Sequence, residues 1–550
     1  MRTPLPVLAL GVSAFSTALS ATAPGFQSSA GSAGGAQAEW IALPTPRLSE
    51  PRAVEAAPAP LAAGSHVLHP TDGPSLKTAP IPPRLPLPVL TRILEEETAR
   101  GSRLEFFKSA ATLLVRGDPP AVEAARARIV ELDRVAESLA IDLEVDLSGS
   151  ASSSGPKTER WTAKRRVASG EDACFGARLS TAFVMTFDVE VAADSGVAAP
   201  VLGNACTGRT LHLRAARVDG GRRVRIEGLL DLADLRAIDR FDPETADLGV
   251  VQEPSVDSVQ VAFAGVVDAG KNLEVKIAGA PLALSDWTLS IRASAKPDDP
   301  GTKDSVLDVL DFGGLAAPPL ALSAASPGAI LDRQAPFGPS SLASSRAGPG
   351  VPPSAVAAQL DARGSDGSAG AGRPSIAWTD DLLLLRRSDV ALRSEARALV
   401  AGAEAPRLVA RTLEVKRGAL AATFPACAGS PARLLVGRER TAVSGYRVQI
   451  APQTWMAAPE VVKVFDGFCL DAEIVTGAAD CSVWVAESAP SVVAARKDAQ
   501  IGKLEILARA LRSDRGSLAA GDTERALAAR PPAGGGDATS DAITARCILP

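Results

Sequence analysis

The sequence predicts an α+β fold class: two tandem units, each a small helix-covered sheet followed by an antiparallel β-sandwich or small barrel, with disordered linkers joining them. Three observations predict it. The stretch Thr112 to Leu147 reads as strand, helix, strand. The same order returns in weaker form at Leu382 to Arg417. Each copy is trailed by runs in which apolar and polar residues alternate.

The first copy sets the pattern. Thr112 to Val115 is a short apolar run of strand formers, stopped by Gly117-Asp118-Pro119. Asp118 is placed to accept from the free amides of a following helix, and Pro119 suits a first helical position. The helix puts Val122, Ala125, Ile129 and Leu132 on one side. From Leu139 to Leu147 the odd positions are apolar while 142, 144 and 146 are acidic, a strand with one dry and one wet face. Upstream, Val89 to Ala99 reads as helix and Arg103 to Phe107 as strand.

The second copy lies 270 positions on: Arg116 meets Arg386, Val130 meets Val400, and Leu143-Glu144-Val145 meets Leu413-Glu414-Val415. Its helix must use a different face, Leu392, Ala396, Leu399 and Ala403, because Ala125 falls on Glu395. The likeness continues at a spacing of 259. Phe187 meets Tyr446, Ala198-Ala199-Pro200 meets Ala457-Ala458-Pro459, and Val224 and Ile226 meet Val483 and Val485.

In chain order, residues 1–23 form a secretory signal, with Arg2 ahead of the apolar run Leu5 to Leu19 and small residues near Ala18 to Ala23. Residues 24–83 are rich in Ala, Gly, Ser and Pro without a period and are expected to be disordered. His66 and His69 lie in them, too few for a metal site. A small α/β domain follows at 84–148. After a Ser/Gly hinge comes a β-rich domain at 159–294, where Gly220-Gly221 and Ala269-Gly270 mark turns. Leu229 to Ile238 is left as a helix or a long connection, and His212 is expected to face water. Residues 295–352 read as a linker. The second α/β domain covers 353–418, the second β-rich domain 419–512, and a flexible tail 513–550. The period of Lys503 to Arg512 fits strand and helix alike.

With 550 residues, two to four domains are expected. A formal charge of −5 with 4% aromatics excludes the basic, aromatic-lined face of a nucleic-acid binder. The excess of Arg over Lys, with abundant Ala, Gly and Pro, fits a GC-rich bacterial genome. No run after the signal approaches the ~20 apolar residues of a spanning helix, so the expected location is periplasmic or secreted.

Six cysteines in an exported chain favour disulfides. Placing the two halves in parallel predicts Cys174–Cys206 and Cys427–Cys469, each worth roughly 3–4 kcal/mol in the chain-entropy model. Cys481 and Cys547 are left to pair or stay free. Their spacings fit no zinc site. Cys547 to Pro550 is a poor prenylation signal, since Pro ends it.

Residues 84–147 resemble the small ring-building domains in the periplasmic half of bacterial secretins. The match is Leu113-Leu-Val-Arg-Gly-Asp-Pro-Pro, a helix closing with Ile129-Val-Glu-Leu-Asp133, and the strand Ile141-Asp-Leu-Glu-Val145, with a fainter echo at 354–417. The resemblance implies compact α/β modules that pack side by side between subunits. The chain departs from the family in lacking the long pore-forming β region and its signature turn.

The expected function is that of an exported, non-enzymatic envelope protein, a protein-binding or assembly module whose partners are other envelope proteins or copies of itself. A secretin-related ring component is the alternative. An exported hydrolase would need a nucleophile, a base and an orienting group in one pocket. His212 is the one histidine in a segment expected to fold, and Glu95-Glu96-Glu97 and the other carboxylates read as solvated charge. Ser154 and Lys157 have nucleophile-pair spacing but sit in a hinge. No catalytic, cofactor or metal residue is therefore assigned, and Asp298-Asp299 lacks the further oxygen ligands calcium needs.

Overall fold

The computed structural model describes residues 40–50, 83–95, 104–109, 112–151, 157–193, 195–242, 249–279, 284, 286–298, 307–316, 352–364, 375–386, 390–430, 432–450, 452, 454–474, 481–498, 502–518, 525–527 and 543–548. The signal segment, His66 and His69 lie outside the described residues.

The first half begins with β1 (Ile41–Pro44), α1 (Leu87–Glu95), β2 (Glu105–Ser109), β3 (Thr112–Arg116) and α2 (Pro119–Ser138). The three strands are antiparallel in the order β1-β3-β2. Leu43, Leu113 and Val115 face the two helices, and α2 answers with Val122, Ala125, Ile129 and Leu132, all buried. Asp118 stands at the helix entry in an extended conformation but makes no capping hydrogen bond. Pro119 and Pro120 carry no amides, so the first donors such a cap would serve are missing.

The half continues with β4 (Ala140–Ala151), β5 (Lys157–Ala168), β6 (Glu171–Val191), β7 (Gly196–Val218), β8 (Arg223–Phe241), β9 (Val251–Asp268), β10 (Asn272–Ala278) and β11 (Asp286–Ala295). On β4, Ile141, Leu143, Val145 and Leu147 are buried. Its acidic face pairs across the strand boundary, Asp142 with Arg166 and Glu144 with Lys164 on β5. Leu229 to Ile238 is strand, not helix, because Leu230 and Leu232 alternate into the core while β9 supplies the ladder.

The second half repeats this with β12 (Leu307–Asp311), α3 (Gly313–Ala316), α4 (Pro353–Gly364), β13 (Ser375–Trp378), β14 (Leu382–Arg386), α5 (Val390–Glu404), β15 (Ala410–Arg417), β16 (Leu420–Cys427), β17 (Ala432–Ile450), β18 (Trp455–Ile474), β19 (Cys481–Asp498), β20 (Gly502–Leu518), β21 (Arg525–Leu527) and β22 (Ile543–Ile548). Its small sheet runs β12-β14-β13, the order of the first. Ala396 of α5 is buried there, with Leu392, Leu399 and Ala403 packed beside it. Four strands come from segments whose composition reads as disorder, linker or tail: β1, β12, β21 and β22. Each is short, and each is fixed by pairing with the edge of another strand.

The expected α+β class is overturned. Strand far exceeds helix, and the β parts of the two halves are not separate sandwiches. They merge into two eight-stranded antiparallel sheets, β21-β22-β15-β16-β10-β11-β4-β5 and β20-β19-β18-β17-β9-β8-β7-β6. Between these lies one core, holding Val145, Leu213, Ile226, Val261 and Ile291 from the first half and Val415, Leu434, Phe468, Val483 and Ala545 from the second. The reason is that an unpaired strand edge exposes a row of amides and carbonyls, and the matching edge of the other half satisfies them. The second sheet has the longer strands, up to 23 residues in β7 against 12 in β4 and β5. Beyond the first sheet its hairpins close around a smaller cluster that includes Phe187, Phe241, Val251 and Met456.

Packing is tight where β8 meets β9. A Cβ on Gly228 would stand 2.2 Å from the Phe263 ring. Gly228→Ala is expected to lower stability by about 1–3 kcal/mol through overpacking, and a denaturant midpoint equal to that of the native chain would refute this.

Candidate assembly interface

The two halves meet along two ladders. In one sheet β9 pairs with β17, from Ala262 opposite Arg433 to Ser255 opposite Arg440. In the other β10 pairs with β16, from Lys276 opposite Thr423 to Ala278 opposite Ala421. Asp257, fully buried on β9, accepts from Arg438 Nε of β17 at 2.6 Å, with Arg236 at 3.7 Å. A buried carboxylate must be paired in this way, so the ion pair also fixes the register of the ladder.

The small modules meet as well. Arg84, just ahead of α1 and 4% exposed, reaches into the second module. Its Nη2 donates to Asp311 at 2.6 Å and its Nε to Asp381 at 2.8 Å. Burial would push the Asp311 carboxyl up, but the Arg84 guanidinium and the hydrogen bonds around it hold it below the usual range. The second small sheet is covered on both faces. Leu383 and Leu385 face its own helices, whereas Leu307, Ala377, Leu382 and Leu384 join the core of the first module.

A third seam ties α5 to the β body. Glu404 accepts the backbone amide of Asp219 at 3.0 Å, and Asp219 holds a left-handed φ of 52° in the β7–β8 turn. Beside it Arg217 donates to Asp298 at 2.6 Å. Burial, abetted by the carboxylates of Asp311 and Asp219, pushes the Glu404 carboxyl up to about 7.

The outer edges of the body are the counterparts of these joined ones. Among the described residues β5 and β6 are the last strands of their sheets at one end, and β21 and β20 at the other. By the repeat, β5 and β6 correspond to β16 and β17, and β21 and β20 to β10 and β9. The turns agree: Gly170, between β5 and β6, and Gly429, between β16 and β17, both have positive φ, 80° and 73°. On β6, Leu179 is 66% exposed. The first small sheet likewise shows an uncovered face, with Trp40 44% and Phe107 58% exposed. Phe107 stands 270 positions before Ala377, which the neighbouring module buries.

The cysteines expected to bond are all thiols. Cys174 stands opposite His212 and Cys206 opposite Ser180, six ladder positions apart, so neighbouring strands hold the two away from each other. Cys174 Sγ lies 3.9 Å from His212 Nε2, and His212, which alternates with the core residues Leu211 and Leu213, is half-buried. Cys427 ends β16 opposite Ala410, and burial pushes its thiol up to about 12. Cys469, on β18, lies against Asp471 at 3.7 Å. Among the described residues no group of three His, Cys, Asp or Glu could hold a metal ion, and no described helix is long and apolar enough to cross a membrane. Arg84, Asp257, Asp311, Glu404 and Arg438 all escape sequence reasoning, since an isolated charge in a polar-looking stretch carries no sign of burial.

No protein-family profile matches the chain, and no curated protein sequence matches it. Solved structures that share part of its shape are secretins. The InvG secretin-domain β-barrel from the Salmonella SPI-1 injectisome is 12% identical over 41% of this chain and 83% of its own, with a TM-score of 0.21. GspD in an ETEC pilotin–secretin complex is 8% identical over 38% of this chain and 60% of its own, also at 0.21. The V. cholerae type IV competence pilus secretin PilQ is 10% identical over 38% and 74%, at 0.19.

Proposed function

We propose that this is an exported, non-enzymatic envelope protein that assembles head to tail with copies of itself, into a ring where the rotation per copy closes. The observation that carries the reading is the internal junction. Strands β9 and β10 meet β17 and β16 inside the chain, and the equivalents of all four are, among the described residues, the outer edges at its two ends. A surface that pairs with a different surface of the same molecule is a heterologous contact, which propagates until it closes. Free strand edges supply main-chain hydrogen bonds for such addition. The uncovered Trp40 and Phe107 face is the site where the second small module of the preceding copy would sit, as the first covers the second within one chain.

The register of the junction follows from the repeat. Val436 stands opposite Val259. Their equivalents are Ala177 on β6 and Ala508 on β20, because Leu232 pairs with Val259 as Ser491 pairs with Ala508. In an A177C/A508C chain, mild oxidation is expected to link copies through these two positions, identified by mass spectrometry of the digest, while either single variant yields no such ladder. Light scattering should find the native chain oligomeric. A monomer that persists at high concentration would overturn the proposal.

A further inference from the structure

Cys481 opens β19, opposite Ile474 and Leu518 in the longer-stranded sheet. Cys547 lies on β22, opposite Leu413 in the other sheet. Both are thiols in the structure, both are fully buried, and both belong to the core between the sheets. Their sulfurs face each other there within hydrogen-bond reach. We propose that Cys481 and Cys547 are a disulfide-forming pair, a covalent tie between the two layers of the β body at the end where β21 and β20 are, among the described residues, the outer edges.

The step is an exchange with a disulfide-bearing oxidant, either a small-molecule disulfide or a protein dithiol oxidase in its oxidised form. Either thiol can open the exchange while β22 is still undocked, Cys547 being taken as the first. The Cys547 thiolate attacks one sulfur of the oxidant, whose other sulfur leaves as a thiolate. Cys481 then gives up its proton and attacks the Cys547 sulfur, releasing the second oxidant thiol. Two thiols and one disulfide become one disulfide and two thiols, so atoms and electrons balance. Since neither sulfur is exposed once seated, the exchange belongs to folding, as β22 docks. The finished bond is then shielded from reductants. The tie fixes the last described strand pair of its sheet, whose short member β21 is one of the outer edges.

The other four cysteines are the internal control. Full-length protein is refolded in oxidised and reduced glutathione, then unfolded in denaturant with an alkylating agent and no reductant, and digested. The expected result is one linked peptide pair joining Cys481 to Cys547, with Cys174, Cys206, Cys427 and Cys469 alkylated. Alkylation of both Cys481 and Cys547, or a link from either to another cysteine, would overturn the proposal. Reductant should lower the urea midpoint of the oxidised native chain and leave that of C547S unchanged. The mapping uses only the native chain, so a C547S protein that fails to fold does not affect it, and its outcome is independent of whether copies assemble.

Discussion

An Arg84→Ala chain is expected to lose about 3–5 kcal/mol of stability, the cost of leaving buried charge without its partner. Arg84 reaches both Asp311, at 2.6 Å, and Asp381, at 2.8 Å. Removing it takes the shared guanidinium from two carboxylates, one on β12 and one in the turn ahead of β14, at the contact between the small modules. The expected readout is a denaturant midpoint well below that of the native chain, with the early part of the transition arising in the modules. R84M/D311L/D381L removes the charges together and should recover most of the loss, because replacing a whole buried ion cluster by apolar groups is often neutral. If R84A unfolds at the native midpoint, the cluster contributes nothing to holding the modules together.

The second large effect depends on pH. Glu404 is 5% exposed, and its carboxyl is raised from an ordinary 4.5 to about 7. The folded state therefore binds this proton more tightly than the unfolded state. The stability it contributes is fully present below pH 4.5 and is lost as pH rises through 7. The loss across that window is about 3 kcal/mol. In Glu404→Gln the amide oxygen still accepts from the Asp219 backbone, and the slope between pH 4.5 and 7 should shrink by that amount. Asp311 works in the opposite sense: its depressed carboxyl contributes stability above the ordinary carboxylate range that is lost as pH falls below it. A native chain whose stability is flat from pH 4.5 to 7, or an E404Q chain with the native slope, would show that Glu404 is not buried at the α5 seam in solution.

Local periodicity carried much of this. The buried faces of α2 and β4 follow directly from the spacing of Val122, Ala125, Ile129 and Leu132 and from the odd positions 141 to 147. The shifted face of α5 was also legible, since Glu395 has to leave the position Ala125 fills. What was lost were pieces whose signal is too short to register. β1 has four residues and β21 three, and a strand of that length looks like any stretch of loop until a partner edge selects it. Ala, Gly and Pro around β12 and β22 masked them in the same way. Parallel placement of two halves shows which residues are equivalent, not which are near each other, and Cys174 and Cys206 stand six ladder positions apart.

By itself, the sequence determined that a small helix-covered module and a body of alternating strands occur twice, because side-chain period and repeated order are properties of the chain read locally. Only the tertiary structure decided that the two bodies share their sheets, with β9 on β17 and β10 on β16. Strand pairing is made by backbone groups that every residue carries, so the choice of partner edge leaves almost no trace in side-chain identity. It is settled only when burial of Asp257 against Arg438 and closure of the common core select one register among many.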